Sequence, residues 1–267
     1  MTRRAAIGVF DSGLGGLTVA HALLQRLPNE SLLYVGDTAR VPYGPKSPET
    51  VQRYARQIAD WLVAEGVKAV VVACNTATAH ALPQLQAAMP VPVIGVVEPG
   101  ARAAVASPTH GRIGVIGTAG TIRSRAYERA IHRLSPGANV MAKACPLFVP
   151  LVEEGWTDHD ATRLIAHEYL APLRDAGVRT LVLGCTHYPL LTSTIAREMG
   201  PSVRLIDSAA ETAAEVARVL QEHGLLDSTN HAPVHRFVAS DAPEHFLALG
   251  GRFLHGTIAG VEYVPFG

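Results

Sequence analysis

Cysteine is nearly absent: Cys74, Cys145 and Cys185 are the only three. A sparse, odd count excludes a disulfide framework and leaves free thiols to be explained. Lysine is equally scarce, with only Lys46, Lys68 and Lys143 among the 23 basic residues. A pyridoxal phosphate enzyme needs a Schiff-base lysine. None of the three sits in a phosphate-cradling context, so chemistry without a cofactor is expected. Net charge is missing too, because 23 basic and 23 acidic side chains cancel. That balance argues against a surface-wide field for nucleic acid or anionic membrane, and no nucleic-acid partner is expected. No apolar run exceeds strand length, and no basic-then-apolar leader pattern opens the chain, so neither a membrane span nor a signal peptide is expected. The expected address is the cytoplasm, where thiols stay reduced.

What remains is a 267-residue chain that is 48% hydrophobic and 17% charged. It can bury a substantial core as one large domain or two of roughly 100–150 residues. Short β-branched runs alternate with longer amphipathic stretches. Strands are predicted at 7–10, 32–35, 69–73, 93–97, 113–116, 140–142, 180–183 and 203–206, with two more strand-like runs at 236–239 and 261–264. Helices are predicted at 16–27, 49–65, 121–134, 158–175 and 209–223. Near-continuous apolar strands alternating with helices predict an α/β fold with parallel sheet covered on both faces.

The chain also repeats. Ile7-Gly8-Val9-Phe10 and its small-residue turn return as Ile113-Gly114-Val115-Ile116, the run ending at Cys74 returns at Cys185, and the strand from Val93 returns from Val203. The reading is two similar doubly wound halves with a boundary near 98–111, where Pro99, Gly100, Pro108 and Gly111 cluster. Nothing in the sequence assigns the tail from Asp227 to either half.

The two repeated cysteines carry the chemistry. Each ends an apolar strand and is followed by small polar residues, Asn75 and Thr76 or Thr186 and His187. Ligands in open α/β sheets sit at carboxyl strand ends, where helix N-termini offer unpaired N–H groups. A thiol there is expected to have a lowered pKa, and Asn75, Thr76 and Thr186 are expected to cap helices or bind a carboxylate. A lone cysteine is usually an inert core hydrophobe. Cys145, before Pro146, fits that description and is read as structural. Two facing thiols could form a redox disulfide, but a Cys-x-x-Cys arrangement is missing. They could bind metal, but Cys185 and His187 with Cys74 fall short of a closed four-ligand site, and no metal is expected. The third option is acid–base chemistry, one thiolate taking a proton from one face of a carbon and the opposite thiol returning one to the other. Racemisation of a carbon acid fits this best.

The remaining loops are less specific. The turn from Asp11 to Thr18 is glycine-rich, yet it lacks both the dinucleotide and the phosphate-loop endings. Asp11 could receive an ammonium group or orient a thiol, or be an ordinary turn aspartate. Tyr43 could hydrogen-bond a carboxylate or simply pack. Glu153 and Glu154 could accept from an ammonium or from His187, or be solvated surface groups.

Four segments, 7–19, 34–44, 72–77 and 183–191, resemble bacterial glutamate racemases of the aspartate/glutamate racemase family in order and spacing. The resemblance spans most of residues 5–225. It implies a cofactor-independent isomerase interconverting L- and D-glutamate for peptidoglycan synthesis. It also implies two α/β domains related by pseudo-twofold symmetry, 1–98 with 208–267 and 99–207, with the active site in the cleft between them. A homodimer is the expected assembly. Carried over, Cys74 acts on D-glutamate assisted by Asp11, and Cys185 on L-glutamate assisted by His187. Ser12, Tyr43, Gly44, Asn75, Thr76 and Thr186 hold the substrate, and Glu153 takes part. Aspartate or hydantoin racemisation is the nearest rival. A two-lobed amino-acid-binding protein is the rival from another class, and it has no use for paired thiols.

Overall fold

The structure, a computed structural model, describes residues 2–108, 111–229 and 232–266. The first run of elements is β1 (Ile7–Asp11), α1 (Leu17–Arg26), β2 (Leu32–Gly36), α2 (Pro48–Ala64), β3 (Ala69–Val72), α3 (Asn75–Ala88) and β4 (Val93–Gly95). After α4 (Val97–Val105) come β5 (Arg112–Gly117), α5 (Ala119–Ser124), α6 (Ala126–Leu134), β6 (Val140–Ala144) and α7 (Phe148–Glu153). They lead to α8 (Asp160–Asp175), β7 (Val178–Gly184), a 3-10 turn over Tyr188–Leu191, α9 (Thr192–Met199) and β8 (Arg204–Asp207). The chain returns through α10 (Ser208–Glu222), β9 (His235–Ala239), α11 (Pro243–Leu254) and β10 (Glu262–Tyr263).

These strands build two sheets, ordered β10-β9-β2-β1-β3-β4 and β6-β5-β7-β8, and every pairing is parallel. The order β2-β1-β3-β4 recurs as β6-β5-β7-β8, which is the repeat read in the sequence. β9 and β10 extend the first sheet beyond β2, so the tail joins the first half. In β1, Ile7 and Val9 face the core shared with α1, whereas Phe10 faces the core under α2 and α3. Each such fully buried side chain contributes about 1.5–3 kcal/mol. Both faces of the sheet are therefore covered, as the apolar runs require.

One segment differs from expectation. The helix predicted over 121–134 is broken at Arg125, which adopts a left-handed φ of 55°. The cause is local: Ser124 Oγ donates to the Thr121 carbonyl at 2.6 Å and accepts from the Ala126 N–H at 3.1 Å, in competition with the helix. The break lets α6 bury Tyr127. The stretch 98–111, read as a boundary from its composition, begins within α4, between β4 of one sheet and β5 of the other, and its residues 109–110 lie outside the described residues. Pro99 fits in α4 because it lies in the first turn, where its missing N–H costs nothing.

Candidate active site

The carboxyl ends of β1 and β3 face those of β5 and β7, the reversal points of the two sheets. Between them lies one cavity. Ser12, Tyr43, Gly44, Cys74, Asn75, Thr76, Cys185, Thr186 and His187 line it, and Val41, Pro42, Thr118 and Val149 complete its wall. The strand-end residues of both halves thus converge. The cavity measures only about 20 Å³, room for about one water. A roomier hollow of about 360 Å³ adjoins it through Val41, Pro42, Gly44, Thr118 and Val149 and reaches Glu153. Hollows of about 440 and 620 Å³ open elsewhere, and no cysteine lines any of the three.

Cys74 is itself the N-cap of α3, its Sγ accepting the Ala77 N–H at 3.5 Å and lying 3.8 Å from Ser12 Oγ. The lowered pKa expected at a helix start is overturned. Burial and the charge of Asp11 push the thiol up to about 12, against the pull of the Ala77 N–H and the Ser12 hydroxyl. Asp11 stands behind the cavity wall, fully buried, with Oδ2 accepting the Gly13 N–H at 3.2 Å and Oδ1 unpartnered. Burial raises its carboxyl too, partly offset by the charge of His187 and by the N–H groups of Gly16, Gly13 and Ser12.

Cys185 is built differently. No α-helix begins beside it; the chain turns through Thr186 and His187 into the 3-10 turn, so Thr186 is not a helix cap. Instead Cys185 Sγ lies 3.9 Å from His187 Nδ1, and His187 Nε2 lies 3.0 Å from Glu153 Oε1. Burial alone would lower the imidazole, but its bonds to Cys185 and Glu153 and their charges overcome this and raise it to about 10. An imidazole is therefore held beside one thiol and a carboxyl beside the other. Glu153, at the end of α7, is the partner of His187, whereas Glu154 caps that helix through its backbone. Cys145 lines no part of the cavity; it is buried, with Sγ 3.7 Å from the Lys143 carbonyl. Lys68, which looked contextless, is fully buried against Glu30, just before β3 and so at the opposite end of that strand from Cys74.

Tyr43 lines the cavity, but its hydroxyl is taken. It donates to Asp37, whose carboxylate also pairs with Arg40 at 2.7 Å and accepts from Ser240 at 2.8 Å. The Tyr43 hydroxyl proton is therefore committed to Asp37 and not free for a substrate carboxylate. The Asp37–Arg40 network holds the 41–45 loop against the site.

Side-chain contacts cross from one sheet's side to the other's, among them Thr76 Oγ1 with Thr121 Oγ1 at 3.2 Å and His80 Nε2 with the Gly120 carbonyl at 3.2 Å. Thr76 Oγ1 lies 2.8 Å from Thr118 Oγ1, Thr18 Oγ1 donates to the Thr186 carbonyl at 3.3 Å, and Tyr127 donates to Asn75 Oδ1 at 2.7 Å. Thr118 was not singled out from the sequence, although the repeat contained the signal. The offset that carries Ile7 to Ile113 carries Ser12 to Thr118. Among the described residues, no group of three or more His, Cys, Asp or Glu is arranged to hold a metal ion.

Residues 8–216, the span that carries both thiol turns and the Asp11 and Glu153 partners, match the Asp/Glu/Hydantoin racemase family. The chain belongs to that family. Among its racemase relatives, a glutamate racemase of Geobacter metallireducens is 55% identical over 97% of this chain and 96% of its own length. A crystal structure of a glutamate racemase isoform from Bacillus anthracis superposes with a TM-score of 0.95 at 44% identity, covering 99% of this chain and 98% of the other. A glutamate racemase from Francisella tularensis, crystallised in complex with D-glutamate, gives 0.92 at 40% identity over 98% of each chain. Likeness of this extent to racemases covers both sheets and the tail.

Proposed function

We propose that this racemase interconverts L- and D-glutamate by transferring protons between two cysteines and Cα, without a cofactor. One observation carries the reading: two thiols, delivered by equivalent strand ends of two sheets, line the same cavity. The names of its relatives support glutamate as the substrate.

On L-glutamate, the Cys185 thiolate takes the Cα proton, and the electron pair of that bond stays on Cα. The Cys74 thiol then gives its proton to the opposite face, leaving D-glutamate, a Cys74 thiolate and a Cys185 thiol. The reverse reaction exchanges the roles. His187, steadied by Glu153 and 3.9 Å from the Cys185 sulfur, is placed to assist Cys185 in the forward reaction. Asp11 keeps Cys74 in its thiol form until that proton is needed. When D-glutamate binds, its ammonium group offsets the Asp11 charge and allows Cys74 to act as the base. The unpaired N–H groups at the start of α3, with Ser12, Asn75, Thr76 and Thr186, hold the carboxylates. Gly44 and Tyr43 close the wall of the site.

Residues 1–98 with 208–267 form one lobe in this reading, and 99–207 the other. The sheets divide the strands in the same way. A cavity of about 20 Å³ is too small for an amino acid, so the lobes part to admit it. Supplying D-glutamate for peptidoglycan, in a cytoplasm that keeps the thiols reduced, is the role that follows.

Circular dichroism of either pure enantiomer, incubated with dialysed enzyme and no added cofactor, should decay to zero as the enantiomers equalise. A signal that persists with glutamate but decays with aspartate or a hydantoin would replace glutamate as the substrate.

A further inference from the structure

Tyr127 belongs to α6, beside the second sheet, yet its hydroxyl donates to Asn75 Oδ1 in the turn that follows Cys74. Its ring also reaches the other thiol turn. Gly184, which precedes Cys185, packs so closely that a Cβ there would come within 3.0 Å of Tyr127 Cε2. One buried side chain thus touches a neighbour of each cysteine. The phenol oxygen is served as well by Ser208, the first residue of α10. Gly100 of α4 lies over the same oxygen, where an added Cβ would be 3.2 Å away. α4 and α10 are the chain's two passages between the sheets.

The consequence falls on the Asn75 amide, which is 3% exposed and lines the cavity. An amide has an acceptor end and a donor end, and a half-turn swaps them. The phenol's single proton goes to Asn75 Oδ1, at 2.7 Å. That leaves Nδ2 buried without a protein partner. A buried NH2 group with no partner is costly unless a ligand satisfies it. The opposite orientation would meet a carboxylate with a carbonyl oxygen.

We infer that Tyr127 is a positioning residue: its hydroxyl orients the Asn75 amide so that Nδ2 donates to a substrate carboxylate. This rests on the glutamate reading of the site, and it adds a group that never touches the substrate. It also ties the orientation of Asn75 to both interlobe passages, through Ser208 and Gly100.

The test is a double-mutant cycle on glutamate racemisation with Tyr127→Phe, Asn75→Ala and the pair. The Phe variant keeps the ring on Gly184, so kcat should stay within about twofold, while KM rises about five- to tenfold, as for loss of one ground-state hydrogen bond. In the Asn75→Ala background the same change should add less than about twofold. Ser208→Ala, which leaves the phenol ring in place, should raise KM in the same direction and will carry the test if the Phe variant folds poorly. A merely structural role would lower Tm and raise KM equally in both backgrounds, and that result overturns the inference. So does an unchanged KM in both Tyr127→Phe and Ser208→Ala while Asn75→Ala raises it. If Asn75→Ala itself leaves KM unchanged, Asn75 holds no substrate, and that part of the glutamate reading falls along with the inference.

Discussion

Alanine in place of either Cys74 or Cys185 should lower kcat/KM by about 10³-fold or more, the cost of removing an acid–base group with no substitute in reach. Enantiomers have equal free energies, so their equilibrium constant is one and kcat/KM must be the same in both directions. Each single variant should therefore lose L- and D-glutamate turnover equally, although Cys74 meets one face and Cys185 the other. Cys145→Ala is the control. That thiol is buried away from the cavity, and its loss should cost about 1–2 kcal/mol of stability with turnover changed less than about threefold. Coupled measurement of both directions by circular dichroism decides the matter. A variant at Cys74 that still turns over L-glutamate at a tenth of the normal rate would remove Cys74 from the mechanism.

Gly15→Ala is the second large effect, and it acts through closure. Gly15 opens α1 on the first sheet's side, and an added Cβ would sit 2.3 Å from Thr186 Oγ1 and 2.5 Å from His187 Nδ1. Those atoms belong to the turn that carries Cys185. The methyl group cannot be accommodated unless that turn retreats, and it would take the His187–Cys185 pair with it. A displacement near 1 Å at reacting groups costs about 10²-fold in rate. The expected result is a loss of that order in kcat. Stability should fall as well, by about 1–3 kcal/mol, because Leu14 and Leu17 on one side of the contact and Cys185 and Tyr188 on the other are buried in one core. Steady-state kinetics and thermal unfolding of the same preparation check both halves of the expectation. Activity within threefold of normal would show that the two turns need not meet during catalysis.

The strands, their parallel order and both thiol turns were legible because they depend on local pattern. An apolar run ending in cysteine and small polar residues needs a buried strand and an open end, and it occurs twice. Glu153 became distinct from Glu154 only once α7 had a direction, because one residue of rotation on a helix decides which of them meets His187. Tyr43 was legible as a lining residue, but its hydroxyl was not. Asp37 stands at the end of the strand before it, and only the folded loop brings them together. The thiol of Cys74 went the wrong way for a related reason. Its helix start was readable and favours the thiolate, whereas full burial beside Asp11 is a tertiary fact and outweighs it. Tyr127 carried no signal, since its role depends on Arg125 breaking a helix that the sequence pattern reads as continuous.

The central claim is that two bases, one per face, share the reaction. It is tested most directly by following L-glutamate in deuterated water through the first few per cent of conversion, with mass analysis of each enantiomer. The solvent-exchanged Cys74 should deliver deuterium, so newly formed D-glutamate should carry it at Cα in nearly every molecule while the remaining L-glutamate keeps its protium. D-glutamate that retains the original proton, or L-glutamate that gains deuterium as fast as product forms, would mean that a single base serves both faces.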